Sequence, residues 1–365
     1  MKICLIQHTE SAHINEFLDL LEKQDIDFEV YYCVKPLKFK KSNNSKINIY
    51  SNSLDFNFIK KINLKQNEII ILTGWMNTNL ILLNLIFFLR RLNYYYWTDR
   101  PRRISKFSFS SFKRLIAQSI LKYSNAKILC AGNTALEYFK DLNFDEDKLI
   151  NFPICISRIE EIVSVENKHI WRKNNFNINN EKVFLITAGS RLEKEKGYDI
   201  LIKAISLIDK KILKNIKVVI IGEGSELEAL KQMTQELNLL DNIIFLGWQK
   251  ISMFKEVVSN SDLFIHPARY DAYGASIYPL ASGIPVIGSI NAGVCKERIT
   301  SGFNGYLFDP NNPTELKEKI LTLIKNPLSL AKMGLNAFVD SKNHEPVILI
   351  DILKREYEKF FYKEK

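Results

Sequence analysis

Apolar positions along this chain come in short unbroken runs separated by stretches with a helical beat. The first half carries KICLIQ (2–7), FEVYYCV (28–34), EIIILTG (68–74), YYYWT (94–98) and KILCAG (127–132). The second half carries KVFLITAG (182–189), IKVVIIGEG (216–224), NIIFLGW (242–248), SDLFIHP (261–267) and IPVIGS (284–289). Runs this short, rich in β-branched and aromatic residues, read as strands buried on both faces. Between them, NEFLDLLEK, SSFKRLIAQSILKYS, YDILIKAISLIDK and SELEALKQMTQELN place apolar residues three or four apart, the period of an amphipathic helix. Strand and helix in alternation predict an α/β protein built on parallel sheets covered on both sides.

The beat pauses over 151–181, NFPICISRIEEIVSVENKHIWRKNNFNINNE, a polar, Asn-rich stretch that reads as a connection. With 365 residues, two domains are the natural division. We expect an N-terminal domain over 1–165 and a second over 166–342. A C-terminal helix over 343–365 is expected to pack back on the first. One uncharged segment, IIILTGWMNTNLILLNLIFFL (69–89), is long enough to cross a bilayer. Gly74, Asn77, Asn79 and Asn84 interrupt it, and it reads better as a buried strand, a turn and a helix.

Charge adds a second feature. The net charge is +10, and residues 1–150 hold 22 Lys and Arg against 15 Asp and Glu. Residues 90–114 contain eight basic residues and one acid. Such a stretch suits an anionic membrane surface, a phosphorylated ligand or a nucleic acid, and equally a solvated basic face. The five cysteines are scattered, without metal-ligand spacing, and read as reduced packing residues. MKICLIQ reads as a strand, not as a signal peptide. His8 and His13, in the loop after the first strand, read as structural or solvent-exposed.

In open parallel sheets, ligands bind beyond the carboxyl ends of the strands. Four loops there carry chemistry. In TAGSRLEKEKGYDILIKA, Arg191 and Lys196 precede a helix start, a setting for a diphosphate. In IIGEGSELEAL, Gly222 and Gly224 allow close backbone approach, or simply a tight turn. In FLGW, Trp248 offers a stacking face for a nucleobase or fills the core. In HPARYDAYGASIYPLASGIPV, Asp271 precedes Tyr273, Gly274, Ala275 and Ser276, a carboxylate for sugar hydroxyls beside a helix start for phosphate.

Together these loops resemble the nucleotide-binding domain of family 4 retaining glycosyltransferases of the GT-B fold, the glycosyl transferases group 1. SRLEKEKG matches G-R-L-x-x-x-K-G, with Ser190 in place of the first glycine. GEG, FLGW, SDLFIHPARYDAYG, GIPV and NGYLFDP match further motifs in order over about 183–325. The resemblance implies two Rossmann-like parallel-sheet domains facing a central cleft. It implies that Arg191 and Lys196 hold the donor diphosphate and that Asp271 stands where the family's first Glu contacts the donor sugar. Gly274 and Ala275 then lie beside the sugar phosphate. Tyr278 or Pro279 occupies the place of the second Glu, which in the family binds the ribose, and neither supplies a carboxylate. Asp99 lies where relatives often keep a His facing the donor sugar. Arg100, Arg102 and Arg103 are candidates to meet a phosphorylated or lipid-linked acceptor.

The expected activity is transfer of a sugar from a nucleotide diphosphate donor to an acceptor hydroxyl with retention, in bacterial cell-surface polysaccharide or lipid-linked glycan synthesis. The expected partners are the nucleotide sugar, a glycan or lipid-linked acceptor and an anionic membrane surface. The expected location is cytoplasmic, peripheral on the inner face of the plasma membrane. No Asp-x-Asp pair occurs within 183–325, so no metal is expected, nor any other cofactor. The alternatives are a GT-B sugar-nucleotide epimerase, a non-catalytic sugar-nucleotide binder and a basic nucleic-acid-binding protein. No nucleic-acid module is evident, so no nucleic-acid partner is expected.

Overall fold

The structure, a computed structural model, describes residues 1–8, 12–33, 47–49, 68–74, 78–101 and 109–361. The chain forms two compact units, Met1–Cys155 with Pro346–Lys365, and Ile156–Glu345.

The first unit is built on β1 (Lys2–Gln7), β2 (Asp27–Tyr32), β3 (Ile47–Ile49), β4 (Glu68–Thr73), β5 (Tyr95–Thr98), β6 (Lys127–Cys130) and β7 (Leu149–Asn151). All pairs are parallel, in the order β3-β2-β1-β4-β5-β6-β7. Ile3, Leu5, Val30, Ile71 and Leu129 point to one side of the sheet and Cys4, Ile6, Ile70, Leu72 and Ile128 to the other, each set in its own apolar cluster. Both faces are therefore buried, the reason these strands lack polar alternation. The C-terminal helix Val347–Phe361 adds Leu349, Ile350 and Leu353 to the first of these clusters. Lys127 on β6 bonds Glu356 on that helix.

The second unit holds β8 (Phe184–Gly189), β9 (Ile216–Ile221), β10 (Ile243–Gly247), β11 (Leu263–His266), β12 (Val286–Ser289) and β13 (Gly305–Phe308). They pair in parallel in the order β10-β9-β8-β11-β12-β13. In both sheets the order reverses beside the unit's first strand, the Rossmann-like arrangement.

Three strands lie outside the runs read from sequence: β3, β7 and β13. Each is three or four residues long and closes an edge of its sheet, too short to show a period. A helix also forms inside the supposed connection, over Val165–Phe176, capped by the Ser164 hydroxyl, which accepts from Asn167 N. Its buried residue is Arg172, 2% exposed, whose guanidinium donates to Asn260 O and Asp262. A helix anchored by an arginine carries no apolar stripe, so hydrophobic periodicity passed over it. The uncharged segment 69–89 divides into β4 and the 12-residue helix Thr78–Leu89. Among the described residues, no helix is long and apolar enough to cross a membrane.

Candidate functional site

β8 lies between β9 and β11, so the loops leaving β8 and β11 part at the switch in strand order, where a crevice opens. The loop after β8 is stitched to the loop after β9: Ser190 N donates to Ile221 O at 3.1 Å and Leu192 N to Glu223 O at 2.8 Å. A Cβ on Gly222 would come 1.9 Å from Ser190 O, and one on Gly224 2.3 Å from Leu192 O. The Gly-x-Gly pair thus lets these two backbones touch. The Ser190 hydroxyl pairs with that of Tyr198 at 2.7 Å.

The same loop is tied to the loop after β11. Arg269 N donates to Glu195 O at 2.8 Å, and the Arg269 guanidinium grips both oxygens of Asp199 at 2.6 Å. A planar two-point bond of this kind fixes direction as well as distance. It brings Lys196 against Asp271, with Nζ 2.6 Å from Oδ2.

Asp271 is 6% exposed, and His266 Nε2 reaches the same Oδ2 at 3.0 Å. Burial alone would push the Asp271 carboxyl up. The hydrogen bond and charge of His266 and the Lys196 ammonium outweigh burial and hold it below its ordinary value. An ionised carboxylate only accepts, so His266 Nε2 carries the proton. Nδ1, the other ring nitrogen, lies 3.1 Å from the Ser276 hydroxyl. Cys295 Sγ lies 3.5 Å from that hydroxyl. Gly274 covers this chain: a Cβ there would sit 2.1 Å from His266 Cε1 and 2.8 Å from Asp271 Oδ2.

Beside the network is a cavity of about 350 Å³ lined by Ser190, Arg191, Trp248, Phe254, Ala275 and Tyr278 among others. Trp248 is 47% exposed there, which removes the core-filling alternative. Tyr278 packs edge-on against Phe254, ring centres 5.7 Å apart, with the Lys255 ammonium 5.1 Å over its ring. Tyr273 accepts from Arg298 at 2.9 Å. Arg191 is exposed.

Of the residues singled out from sequence, the second unit gathers Arg191, Gly222, Trp248, Ala275 and Tyr278 on the cavity. Lys196, Asp271, Gly274 and Ser276 meet in the buried network, where the Ser276 hydroxyl is engaged by His266 and Cys295. Asp99 is exposed and Arg100 partly exposed, just past β5 in the first unit. Arg102 and Arg103 lie outside the described residues. Sequence reasoning missed His266, Arg269, Asp199 and Cys295. The signal was available for two of them: HPARYD holds a His at a strand end five residues before the acid, and an Arg between them. Among the described residues, no His, Cys, Asp and Glu group of three or more is placed to hold a metal ion.

Residues 169–339 match the family model described as glycosyl transferases group 1. An uncharacterised glycosyltransferase of Methanocaldococcus jannaschii, MJ1069, is 32% identical over 211 residues, 56% of this chain and 51% of that one. The poly(ribitol-phosphate) alpha-N-acetylglucosaminyltransferase of Staphylococcus aureus is 33% identical over 155 residues, 40% of this chain and 30% of that one. The chain thus spans about half or less of these curated relatives' length. Among solved structures, the Anabaena protein Alr3699/HepE in complex with UDP superposes with a TM-score of 0.80 at 18% identity. That match covers 98% of this chain and 100% of HepE, and the shared fold is GT-B. Through residues 169–339, the chain is thus similar to the glycosyl transferases group 1 family.

Proposed function

We propose that this protein transfers a sugar from a nucleoside diphosphate sugar to an acceptor hydroxyl, with retention at the anomeric carbon. The observation that carries this reading is the convergence of Arg191, Trp248, Ala275 and Tyr278 on one cavity at the strand-end loops. HepE has been crystallised with UDP and with UDP-glucose, which supports a uridine diphosphate donor here. Trp248 supplies a stacking face for the base. Arg191 and Lys196 offset the charge that grows on the departing diphosphate as the sugar becomes oxocarbenium-like. Preorganised charge of this sort is commonly the largest catalytic term. Asp271 stands at the sugar end of the site and holds Lys196. The alpha linkage in the name of the S. aureus relative fits retention from an α-configured donor.

The acceptor in this reading is a glycan or lipid-linked glycan at the cytoplasmic face of a membrane, with Arg100, Arg102 and Arg103 as the candidate acceptor contacts and Asp99 as the candidate that takes the place of the family's donor-facing His. The test is thermal unfolding with a panel of nucleotide sugars, then incubation with glycan acceptors and assignment of the anomeric configuration of the product. A bound donor raises apparent stability by about 2.7 kcal/mol at a hundred times its dissociation constant. No response to any nucleotide sugar overturns the proposal. Tyr278, an uncharged residue at the place of the second Glu, favours one other reading, a sugar-nucleotide binder without turnover. Donor binding with no product across the acceptor panel would select it.

A further inference from the structure

The helix Thr78–Leu89 connects β4 to β5, and the helix Phe109–Tyr123 lies between β5 and β6. Both cover one side of the first sheet. Leu80, Leu83 and Phe87 of the first and Ala117 and Leu121 of the second fill the apolar cluster there. They lie alongside each other: Lys113 Nζ donates to Thr78 Oγ1 at 3.3 Å at one end, and Asn125 Nδ2 to Arg91 O at 3.0 Å at the other.

Their outer faces are apolar too. Leu85 and Leu89 are exposed on the first helix, Leu89 at 70%. Phe112, Leu115, Ile116 and Tyr123 are exposed on the second, Tyr123 at 73%. Offsets of three, four and eleven residues put these four on one helix face. Cations border them: Arg90 and Arg91 are exposed just past the first helix, and Lys113, Arg114 and Lys122 are partly exposed on the second. Neither helix contains an acid. From 78 to 123 the chain has nine Lys and Arg and one acid, Asp99.

We propose that this helix pair is a docking face for an anionic lipid bilayer. Exposed apolar area rimmed by polar residues marks an interaction surface. Bulky apolar side chains on a convex helical surface, flanked by cations, fit the boundary between acyl chains and headgroups. The cations add attraction to anionic headgroups. A nucleic acid would engage the cations but gain nothing from Leu85, Leu89, Leu115 and Ile116. With 12 and 15 residues, these helices lie on a bilayer and do not span it, which takes about 20 apolar residues. The inference takes up the membrane location proposed above, yet stands on the first unit alone, so vesicle binding and sugar transfer fail or succeed separately.

The test is co-flotation of the full chain with vesicles of phosphatidylcholine, with or without about one-third phosphatidylglycerol, at low salt. Flotation is expected with the anionic vesicles and little with pure phosphatidylcholine. Leu115→Ser with Ile116→Ser lowers partitioning roughly ten-fold by removing apolar area. Arg90→Gln with Arg91→Asn lowers it by roughly five-fold per cation. The replaced side chains are on the surface, so the thermal midpoint of each variant stays at the wild-type value, and retained nucleotide-sugar response keeps the site reading separate. Absence of flotation at low salt, or variants that float as wild type does, overturns the proposal. So does binding of single-stranded RNA with no binding of anionic vesicles, which assigns the patch to nucleic acid.

Discussion

Lys196 and Asp271 form a buried ion pair across two loops, Nζ to Oδ2 at 2.6 Å, and His266 shares the same oxygen at 3.0 Å. The carboxylate is the hub: without it, a buried ammonium and a buried imidazole N–H lose their acceptor. Breaking such a pair from one side costs about 3–5 kcal/mol. Asp271→Asn is therefore expected to destabilise the second unit by that order and to abolish measurable sugar transfer. Denaturant unfolding and turnover on the same sample check both parts. A variant as stable as wild type would mean that the pair contributes nothing to the fold.

Arg191 offers the contrasting case. It leaves the same loop but is exposed on the cavity. Arg191→Ala should leave the thermal midpoint unchanged while lowering turnover about 10²–10³-fold, the effect of losing one preorganised donor at a developing oxyanion. Loss in kcat with little change in nucleoside diphosphate affinity would put its contribution in the transition state. Unchanged turnover would remove Arg191 from the reaction.

Trp248 tests the base end. Stacking of a base on an aromatic ring is worth about 1–3 kcal/mol by alanine substitution. Trp248→Ala should weaken binding of the free nucleoside diphosphate by that amount and leave stability within about 0.5 kcal/mol, since the ring is half exposed. Trp248→Phe should recover most of the loss. Isothermal titration with UDP reads the difference directly, and equal affinities in all three proteins would place the base elsewhere.

The strands were legible wherever they were buried on both faces, because burial on both sides demands an unbroken apolar run. The edge strands β3, β7 and β13 and the Val165–Phe176 helix were not, because what holds them is position in the sheet or an arginine, and neither leaves a period. In the site, Arg191, Lys196 and Asp271 stood out as charges at strand ends. The ties among them did not. His266 sits inside a strand run and reads as one more buried position, while Asp199 and Arg269 are seventy residues apart and meet only because β8 and β11 are neighbours. The glycines were legible as loop residues, yet their partners, Ser190 O and His266, follow from the packing of one loop on another.

Gly274 carries the next expectation. A methyl group there meets the His266 ring at 2.1 Å and the Asp271 carboxylate at 2.8 Å, atoms already fixed by their own bonds. Overpacking of this kind costs about 1–3 kcal/mol. Gly274→Ala should lower the unfolding midpoint and, by displacing Asp271, reduce turnover more than it reduces UDP affinity. Wild-type stability and turnover would show that the loop moves aside freely.

The cysteines give a prediction on pH. Cys4, Cys33, Cys130, Cys155 and Cys295 form no disulfide and are all buried. Burial pushes the thiols of Cys33, Cys130 and Cys295 up to about 12. In the unfolded chain a thiol titrates near ~8.5. Between these values the folded protein keeps protons that the unfolded chain has released, so rising pH favours unfolding and stability falls across that window. The slope approaches about 1.4 kcal/mol per pH unit for each such thiol. Denaturant unfolding in a pH series should show this fall, with Cys295→Ala reducing the slope by one thiol's share. At neutral pH the native chain should also resist a thiol reagent until it unfolds. Rapid labelling of the folded protein, or a flat alkaline stability profile, would mean that these side chains open to solvent in the native state.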